Sequence, residues 1–236
     1  MVVRYTWAAA SHQGMVRENN EDSIFPTSSG ESNDGAVLIV ADGMGGHVAG
    51  EVASRLAVNA AASSELEAGD RVAAGNRAIR EEVSRDPGLE GMGTTMTLLT
   101  VDDGVAHLAH VGDSRAYLLR DRELAQLTED HTVAAEYVAM GELSSHEAVS
   151  HPQRHMLTRT LGLTRFVNID EIDVELIQGD RLLICSDGLT EMVSDDDIAK
   201  TLGDGTPDEV VWELIELANE AGGVDNISVV VLEVLD

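Results

Sequence analysis

The sequence has very little cysteine and very little positive charge, and each shortage excludes a class of protein. Of the 236 residues one is cysteine, Cys185, which excludes an intrachain disulfide framework. Its position in the apolar run "RLLICSDG" predicts a buried thiol in a protein of the reducing cytoplasm. Only 15 basic residues accompany 43 acidic ones, so the formal net charge is −28. This charge opposes contact with a nucleic-acid backbone or with an anionic membrane.

Long apolar runs are also missing. The longest, "GAVLIVA" and "ISVVVLEV", are far shorter than the roughly 18 residues that a membrane-spanning helix needs. No signal peptide precedes "MVVRYTWAAASHQG". We therefore expect a cytoplasmic monomer with no membrane insertion within this chain. It could still be the soluble part of a longer, membrane-anchored protein, because sequence beyond Asp236 is not known.

Alternating apolar and turn-forming segments predict one folded domain over residues 1–236. Segments rich in β-branched residues, with Gly, Asp and Asn at their breaks, predict strands at Thr6–Ala10, Ala36–Ala41, Thr94–Val101, Val105–Val111, Arg115–Arg120, Arg181–Cys185 and Ile227–Val234. Apolar spacing at i, i+3 and i+4 predicts helices at Gly50–Ala62, Arg71–Ser84 and Pro207–Ala221. This order is not the regular alternation of a doubly wound sheet.

The stretch from residue 94 to residue 128 is expected to form consecutive antiparallel hairpins. Its turn-forming residues lie at 102–104, 112–114 and 120–122, between apolar runs. The following residues, 131–166, are polar, contain "HPQRH" and have no strong apolar stripe. We expect this segment to be a mostly helical surface flap.

Four aspartates lie at the ends of predicted buried strands: Asp42, Asp113, Asp187 and Asp225. A single Asp-Gly after a strand is most often a turn, but strand ends can converge on one point. Two carboxylates about 4 Å apart repel by roughly 4 kcal/mol at an effective dielectric near 20, so a convergent cluster needs cations or protons. Because the ligands would all be oxygen atoms, Mg²⁺ or Mn²⁺ fits best, with Ca²⁺ as a structural alternative.

The glycines after Asp42, in "VADGMGGHVAG", raise a second hypothesis, a phosphate-binding loop. Val48 stands where a Gly-x-Gly-x-x-Gly fingerprint needs glycine, and the run has no lysine for a Walker loop. Direct cradling of a nucleotide is therefore not expected. Instead the loop is expected to approach a metal closely, with the carbonyl of Gly43 as a ligand.

The segment "RENNEDS" supplies Arg17, Glu21 and Asp22. Taken alone it is typical of a solvated polar loop. Beside a metal cluster, the planar guanidinium of Arg17 could bind a phosphate, and one of the acids could add to the metal ligands.

Six motifs in this order, "RENNED", "VADGMGGH", "GMGTTMT", "VGDSRAYLL", "CSDGL" and "GGVDNISVVV", resemble those of the metal-dependent serine/threonine protein phosphatases of the type 2C family, particularly the bacterial catalytic domains. The resemblance spans residues 17–231. It implies an α+β fold, a four-layer α-β-β-α sandwich in which helices flank two antiparallel β-sheets, with a flap subdomain. It also implies a centre of two Mn²⁺ or Mg²⁺ ions at one end of the sandwich.

The resemblance further implies roles for the acidic residues. Asp42 would bridge both ions, the Gly43 carbonyl would serve the second ion, and Asp187 and Asp225 would serve the first. Asp113 matches the aspartate that, with Asp187, can hold a third ion in bacterial members.

The resemblance leaves two parts of the site without an assigned role. Glu21 and Asp22 match the family's acidic pair near the second ion, and their individual roles remain open. The flap near His155 would border the third site, but no ligand is carried over from it.

The same resemblance implies the chemistry. A water that bridges the two ions would attack phosphorus while Arg17 holds the phosphoryl oxygens, and no covalent phosphoenzyme would form. Met44 departs from the pattern, because animal members have a histidine there that is proposed as the general acid. The leaving group would then be protonated by water or by another group; for His47 a loop or helix-start role is the favoured interpretation.

We therefore expect hydrolysis of phosphoserine and phosphothreonine on proteins, in opposition to a bacterial-type serine/threonine kinase. The expected partners are phosphorylated proteins and such a kinase, with no nucleic acid. Two alternatives remain open: a catalytically silent relative that binds phosphoproteins, and a metal-dependent hydrolase of small phosphates or nucleotides.

Overall fold

The computed structural model describes residues 3–45 and 49–235. Within these ranges there are twelve strands and seven α-helices. The strands are β1 (Tyr5–His12), β2 (Asp22–Phe25), β3 (Gly30–Ser32), β4 (Ala36–Met44), β5 (Gly93–Thr94), β6 (Met96–Asp102), β7 (Val105–Val111), β8 (Arg115–Arg120), β9 (Glu123–Gln126), β10 (Asp170–Glu175), β11 (Arg181–Cys185) and β12 (Ile227–Val234). The helices are α1 (Ala49–Ala62), α2 (Ala68–Arg85), α3 (Val133–Ala139), α4 (Ser145–Ala148), α5 (Asp187–Thr190), α6 (Asp195–Leu202) and α7 (Pro207–Glu220).

The strands form two antiparallel sheets. One has the order β3-β1-β12-β11-β8-β9, and the other has the order β10-β7-β6-β4-β2 with the short β5 paired to β4. Every pairing is antiparallel. Helices α1 and α2 cover the outer face of the second sheet, and α5, α6 and α7 cover that of the first. The predicted four-layer α-β-β-α sandwich is confirmed.

The central strand β4 is apolar from Val37 to Ala41 because both of its faces are buried. In β4, Leu38 and Val40 belong to the core between the two sheets, whereas Ile39 and Ala41 belong to the core beneath α1 and α2. This arrangement explains why the run "VLIVA" does not alternate with polar residues. Cys185 is buried at the end of β11, as predicted.

The predicted hairpins are correct at two of the three turns and wrong at the third. β6 pairs with β7 and β8 pairs with β9, but β8 does not pair with β7; its other neighbour is β11 in the opposite sheet. At residues 112–114 the chain therefore crosses from one sheet to the other. A Cβ on Gly112, whose φ is +117°, would lie 2.5 Å from the side chain of Thr95. Only glycine allows this close crossing.

The segment 131–166 is less helical than predicted, since it contains only the short helices α3 and α4, joined by irregular chain. At its far end the segment returns to the sandwich, where Leu161 forms a bridge with Thr94 beside β4. Near the same end the Arg159 guanidinium donates to Asp170 Oδ1 over 2.6 Å. This part of the chain is therefore attached at the end of β4, close to Asp42. Among the described residues no helix is long and apolar enough to cross a lipid bilayer.

Candidate metal centre

Asp22 and Asp42 face each other on neighbouring strands, as direct partners in the antiparallel pairing of β2 with β4. The backbone at Asp42 is fixed by two threonines. Its N–H donates to Thr95 Oγ1 over 2.9 Å, and its carbonyl accepts from the Thr95 N–H over 2.9 Å and from the Thr94 hydroxyl over 2.7 Å. These bonds set the position of Asp42 before any ligand binds.

Asp187 joins this pair from the opposite sheet. It is the first residue of α5 and follows β11 after a single residue, Ser186. The buried hydroxyl of Ser186 donates to Asp22 Oδ2 over 2.8 Å. The ends of β11 and β2 are thereby tied together, so the two sheets bring their aspartates to one place.

Asp113 lies at the crossover between the sheets and is buried. His131 fixes this crossover with two hydrogen bonds to Gly112. Its ring Nδ1 accepts from the Gly112 N–H over 3.0 Å, and its backbone N–H donates to the Gly112 carbonyl over 2.7 Å. Among neighbouring charges, that of Asp113 acts most strongly on Asp187. The crossover therefore adds a fourth carboxylate on the Asp187 side of the cluster.

Asp225 and Arg17 complete the mouth of the site. Arg17 Nη2 donates to Asp225 Oδ2 over 2.5 Å, and about half of the Arg17 side chain is exposed. Asp225 immediately precedes Asn226, whose buried amide holds the N-terminal loop. Asn226 Oδ1 accepts from the Glu21 N–H over 2.8 Å, and its Nδ2 donates to two carbonyls of the loop, each over 2.9 Å.

The pKa values of the buried carboxyls are raised. Burial is the largest cause for each, and it raises the pKa of Asp22 to about 6 and that of Asp113 to about 7. Burial, together with the negative charges of the other aspartates, raises the pKa of Asp42 and of Asp187 well above the usual range. Four acids that disfavour each other's ionisation are thus collected in one place.

The cluster fits hard divalent cations. Oδ1 of Asp22 and Oδ1 of Asp187 are buried and have no hydrogen-bond partner among the described residues. An orphaned buried carboxylate oxygen is costly unless a cation or a proton satisfies it. Because the site consists of carboxylate and carbonyl oxygens, it suits Mg²⁺ or Mn²⁺.

Glu21 and Gly43 lie on the α1 side of the cluster. The Gly43 N–H donates to the Glu21 carbonyl over 3.2 Å. A Cβ on Gly43 would lie 2.2 Å from the Gly50 carbonyl oxygen, and a Cβ on Gly50 would lie 2.8 Å from Glu21 Oε2. The chain therefore approaches itself here in a way that only glycines allow.

The flap side of the cluster carries a histidine and a further acid. His155 Nδ1 lies 2.6 Å from Glu191 Oε1, and one ligand atom each of His155, Asp187 and Glu191 lies within 4.8 Å of the others. His155 thus lies beside Asp187, and a third metal site bordered by the flap near His155 stays a prediction. Met44 ends β4 and has no proton to donate, while His47 lies outside the described residues.

Sequence reasoning missed Ser186 and Asn226, which position the aspartates without being candidate ligands themselves. Their only signal is adjacency, since each stands next to a candidate ligand and beside an apolar strand. A small polar residue at such a place is often a simple turn residue, so the signal is weak.

The comparisons with known proteins agree with the fold. The sequence model of the family described as "Protein phosphatase 2C" matches residues 10–210. The serine/threonine protein phosphatase PstP of Mycobacterium tuberculosis is 43% identical over 100% of this chain and 46% of its own length. The serine/threonine phosphatase stp of Listeria monocytogenes is 36% identical over 94% of this chain and 92% of its own length.

A crystal structure of the Mycobacterium tuberculosis phosphatase PstP/Ppp superimposes with a TM-score of 0.90 at 42% identity, over 99% of this chain and 100% of that one. A second structure, of the PstP catalytic domain in complex with two manganese ions, gives a TM-score of 0.88 at 40% identity, over 99% and 100% of the two chains. The chain spans about half the length of PstP, 46%. From the family match, the sequence identities and the shared fold, the chain belongs to the protein phosphatase 2C family.

Proposed function

We propose that the chain hydrolyses phosphoserine and phosphothreonine esters on proteins, with two Mn²⁺ or Mg²⁺ ions in the aspartate cluster. The observation that carries this proposal is the convergence of Asp22, Asp42, Asp113 and Asp187, with orphaned buried oxygens and raised pKa values. At neutral pH such a cluster needs bound protons or cations, and divalent cations would satisfy its orphaned buried oxygens. The metal-containing structure of PstP and the names of the relatives support the same function.

Each acid has a role in this proposal that follows its place in the fold. Asp42 lies centrally and would contact both ions. Glu21 and the Gly43 carbonyl would serve the ion on the α1 side, which agrees with the contact between Glu21 and Gly50.

The ion on the other side would be held by Asp187 and Asp225. Asp113 and Asp187 would hold a third ion near the flap. Asp22 would balance part of the positive charge of the ions, and its unpaired Oδ1 would be the oxygen available to them, because Oδ2 already accepts from Ser186.

Divalent ions in such a site supply a nucleophile at neutral pH and polarise the phosphoryl group. The chain itself would bind and orient the phosphate ester. Arg17 is exposed at the mouth and can donate to phosphoryl oxygens through its planar guanidinium. Asn226 would fix the loop that carries Arg17, and Asp225 would hold the guanidinium while no substrate is bound. No side chain has to become covalently phosphorylated.

The proposed setting is the cytoplasm, where the chain would oppose a bacterial-type serine/threonine kinase as a monomer. The buried Cys185 and the net charge of −28 support an intracellular role away from anionic surfaces. Since PstP is about twice as long as the part matched here, we further propose that this chain is the catalytic portion of a longer protein.

The test is phosphate release from a protein phosphorylated on threonine, with Mn²⁺ and then with excess chelator. We expect release that the chelator abolishes and that Asp42→Ala removes. Nucleotides and small phosphate esters, assayed at the same concentrations, separate a protein phosphatase from a general phosphohydrolase. A folded protein that binds Mn²⁺ but releases no phosphate from any substrate would favour the silent, phosphoprotein-binding alternative.

A further inference from the structure

A groove outside the metal centre collects much of the unpaired positive charge of the chain. It has a volume of about 600 Å³ and lies between α2 and the loop at the end of segment 131–166. Arg77 and Arg80 line it from α2, and Arg165 and Phe166 line it from the loop. We call these four residues the basic groove.

The basic groove is unusual for this protein because only 15 of its residues are basic. Three of them line this single groove. Within the described part of the chain, no hydrogen bond or ion pair engages the guanidinium groups of Arg77, Arg80 and Arg165. The groove contains one acid, Glu81, which lies 4.0 Å from Arg85 on the same helix. The groove therefore offers net positive charge on a strongly negative protein.

An exposed aromatic ring accompanies these charges. Phe166 is 82% exposed, and the Arg165 guanidinium carbon lies 5.3 Å from the centre of its ring. This distance is in the range of a cation–π contact. Aromatic and arginine side chains together are the composition that dominates the binding energy of protein interfaces.

The groove is already formed in the free protein, because Asn76 fixes the loop to α2. This buried amide accepts from the Gly162 N–H over 2.7 Å and donates to the carbonyls of Thr164 and Arg165 over 3.1 and 3.3 Å. Arg165 and Phe166 therefore extend from a backbone that is held in place. A preformed surface loses less entropy when it binds a partner.

The basic groove lies close to the metal centre. Asn76 contacts Gly162, the neighbouring Leu161 pairs with Thr94, and the Thr94 hydroxyl donates to the Asp42 carbonyl. The path from Asn76, which fixes the groove loop, through Gly162, Leu161 and Thr94 to Asp42 has four steps of about 4 to 6 Å each. Asn76 and Asp42 are therefore at most roughly 20 Å apart, a distance that about six extended residues span. One peptide can therefore reach both places.

We propose that the basic groove docks an acidic segment of the phosphoprotein substrate, about six residues from the phosphorylated threonine or serine. This inference rests on the proposed phosphatase function. The three arginines would pair with Asp or Glu side chains, and Phe166 would pack against an apolar residue of the same segment. A peptide can enter a groove of about 600 Å³, which a flat membrane surface cannot fill.

The test compares two phosphothreonine peptides that differ only in a segment six residues from the phosphothreonine. In one peptide this segment consists of four acidic residues and a leucine, and in the other it consists of serines. Each peptide is made in two versions, with the segment before or after the phosphothreonine. For the wild-type protein with Mn²⁺ we expect the acidic peptide with the preferred segment position to have a KM about tenfold lower than that of the matching serine peptide. Three exposed charge pairs together give an effect of about this size. The double variant Arg77→Glu/Arg80→Glu should abolish this preference.

Two controls keep the result specific. Arg55→Glu/Arg122→Glu makes the same charge change at two exposed arginines outside the groove, and it should retain the preference. Arg165→Ala/Phe166→Ala alters only exposed side chains, so it tests the groove even where the glutamate variant does not fold. Hydrolysis of p-nitrophenyl phosphate, which is too small to reach the groove, shows whether the metal centre is intact.

The proposal is overturned if the groove variants and the wild type have the same KM for both peptides. It is also overturned if the variants lose binding to anionic vesicles, or lose a dimer in sedimentation, with peptide KM unchanged. A wild-type protein that hydrolyses nothing would contradict the phosphatase function instead. In that case the fluorescence anisotropy of a labelled acidic peptide without phosphate decides separately whether the groove binds such a segment.

Discussion

Asp22 and Asp42 are direct cross-strand partners in the pairing of β2 with β4, and the pKa values of both carboxyls are raised. Like charges at such positions destabilise an antiparallel sheet. The cluster therefore lowers the stability of the ion-free protein, and cations should restore it. This trade between stability and ion binding is typical of functional sites.

The first prediction concerns Asp42→Asn, which removes one charge while keeping the shape of the side chain. In chelator we expect the variant to unfold about 2 to 4 °C above the wild type, as a gain of about 1 kcal/mol gives in a domain of this size. Mn²⁺ should raise the melting temperature of the wild type more than that of the variant. Glu213→Gln, an exposed charge removal on α7, serves as the control. A variant that is less stable than wild type in chelator would show that the repulsion is unimportant.

The second prediction separates the core ions from the third one. Asp113→Ala should leave two tightly bound Mn²⁺ ions in isothermal titration calorimetry while lowering kcat, because Asp113 acts mainly on the Asp187 side. Asp225→Ala should weaken the core ions and remove nearly all activity. If Asp113→Ala abolished tight metal binding altogether, its assignment to a peripheral ion would be wrong.

The third prediction concerns Arg17, which is exposed and pairs with Asp225. Arg17→Ala should raise KM for p-nitrophenyl phosphate and for phosphopeptides by about tenfold, because a charge-assisted bond to phosphate is lost. Mn²⁺ affinity should change little. Arg17→Lys retains the charge without the planar fork and should have an intermediate KM. Equal KM values for all three proteins would exclude Arg17 from phosphate binding.

The sequence predicts the strands that are buried on both faces, because their apolar runs are continuous. It does not predict β10, whose sequence "DEIDVE" places acids at every exposed position and only Ile172 and Val174 toward the core. It also predicts candidate ligands from acids at strand ends, but not the crossover at Asp113. That crossover depends on the pairing of β8 with β11, which is distant in sequence and leaves no local pattern.

The fourth prediction concerns Asn226, which the sequence pattern did not single out. Asn226→Ala removes three hydrogen bonds to the N-terminal loop and should destabilise the fold by about 2 to 4 kcal/mol. It should also raise KM, because the loop carries Arg17. Asn226→Asp keeps the acceptor for the Glu21 N–H but loses both donors, so its KM should lie between those of the wild type and Asn226→Ala. A stability loss without any change in KM would limit Asn226 to a structural role.

The last prediction concerns the pH dependence of stability through His110, a fully buried residue of β7. Its Nε2 lies 3.2 Å from the Glu129 carbonyl, which can only accept, so the neutral ring carries its proton on Nε2; its Nδ1 lies 2.9 Å from the Thr97 hydroxyl, which is also 3.0 Å from the Ser114 carbonyl. Burial, together with the neighbouring His131, lowers the pKa of His110 from 6.5 to about 4, against the opposing charges of Asp130 and Asp170.

Between pH 6.5 and about pH 4, the imidazole of His110 binds a proton in the unfolded chain but not in the folded protein. The free energy of unfolding therefore falls as the pH drops from 7.5 toward 4. By pH 5 the loss due to His110 should be about 2 kcal/mol. Urea unfolding of the wild type and of His110→Gln, each at pH 7.5 and pH 5, measures it. His110→Gln will be less stable than the wild type at pH 7.5. Its free energy of unfolding should nevertheless decrease less between pH 7.5 and pH 5, by the amount due to His110, because the two proteins share all other titrating groups. Parallel losses in the two proteins would mean that His110 takes up its proton without leaving the core.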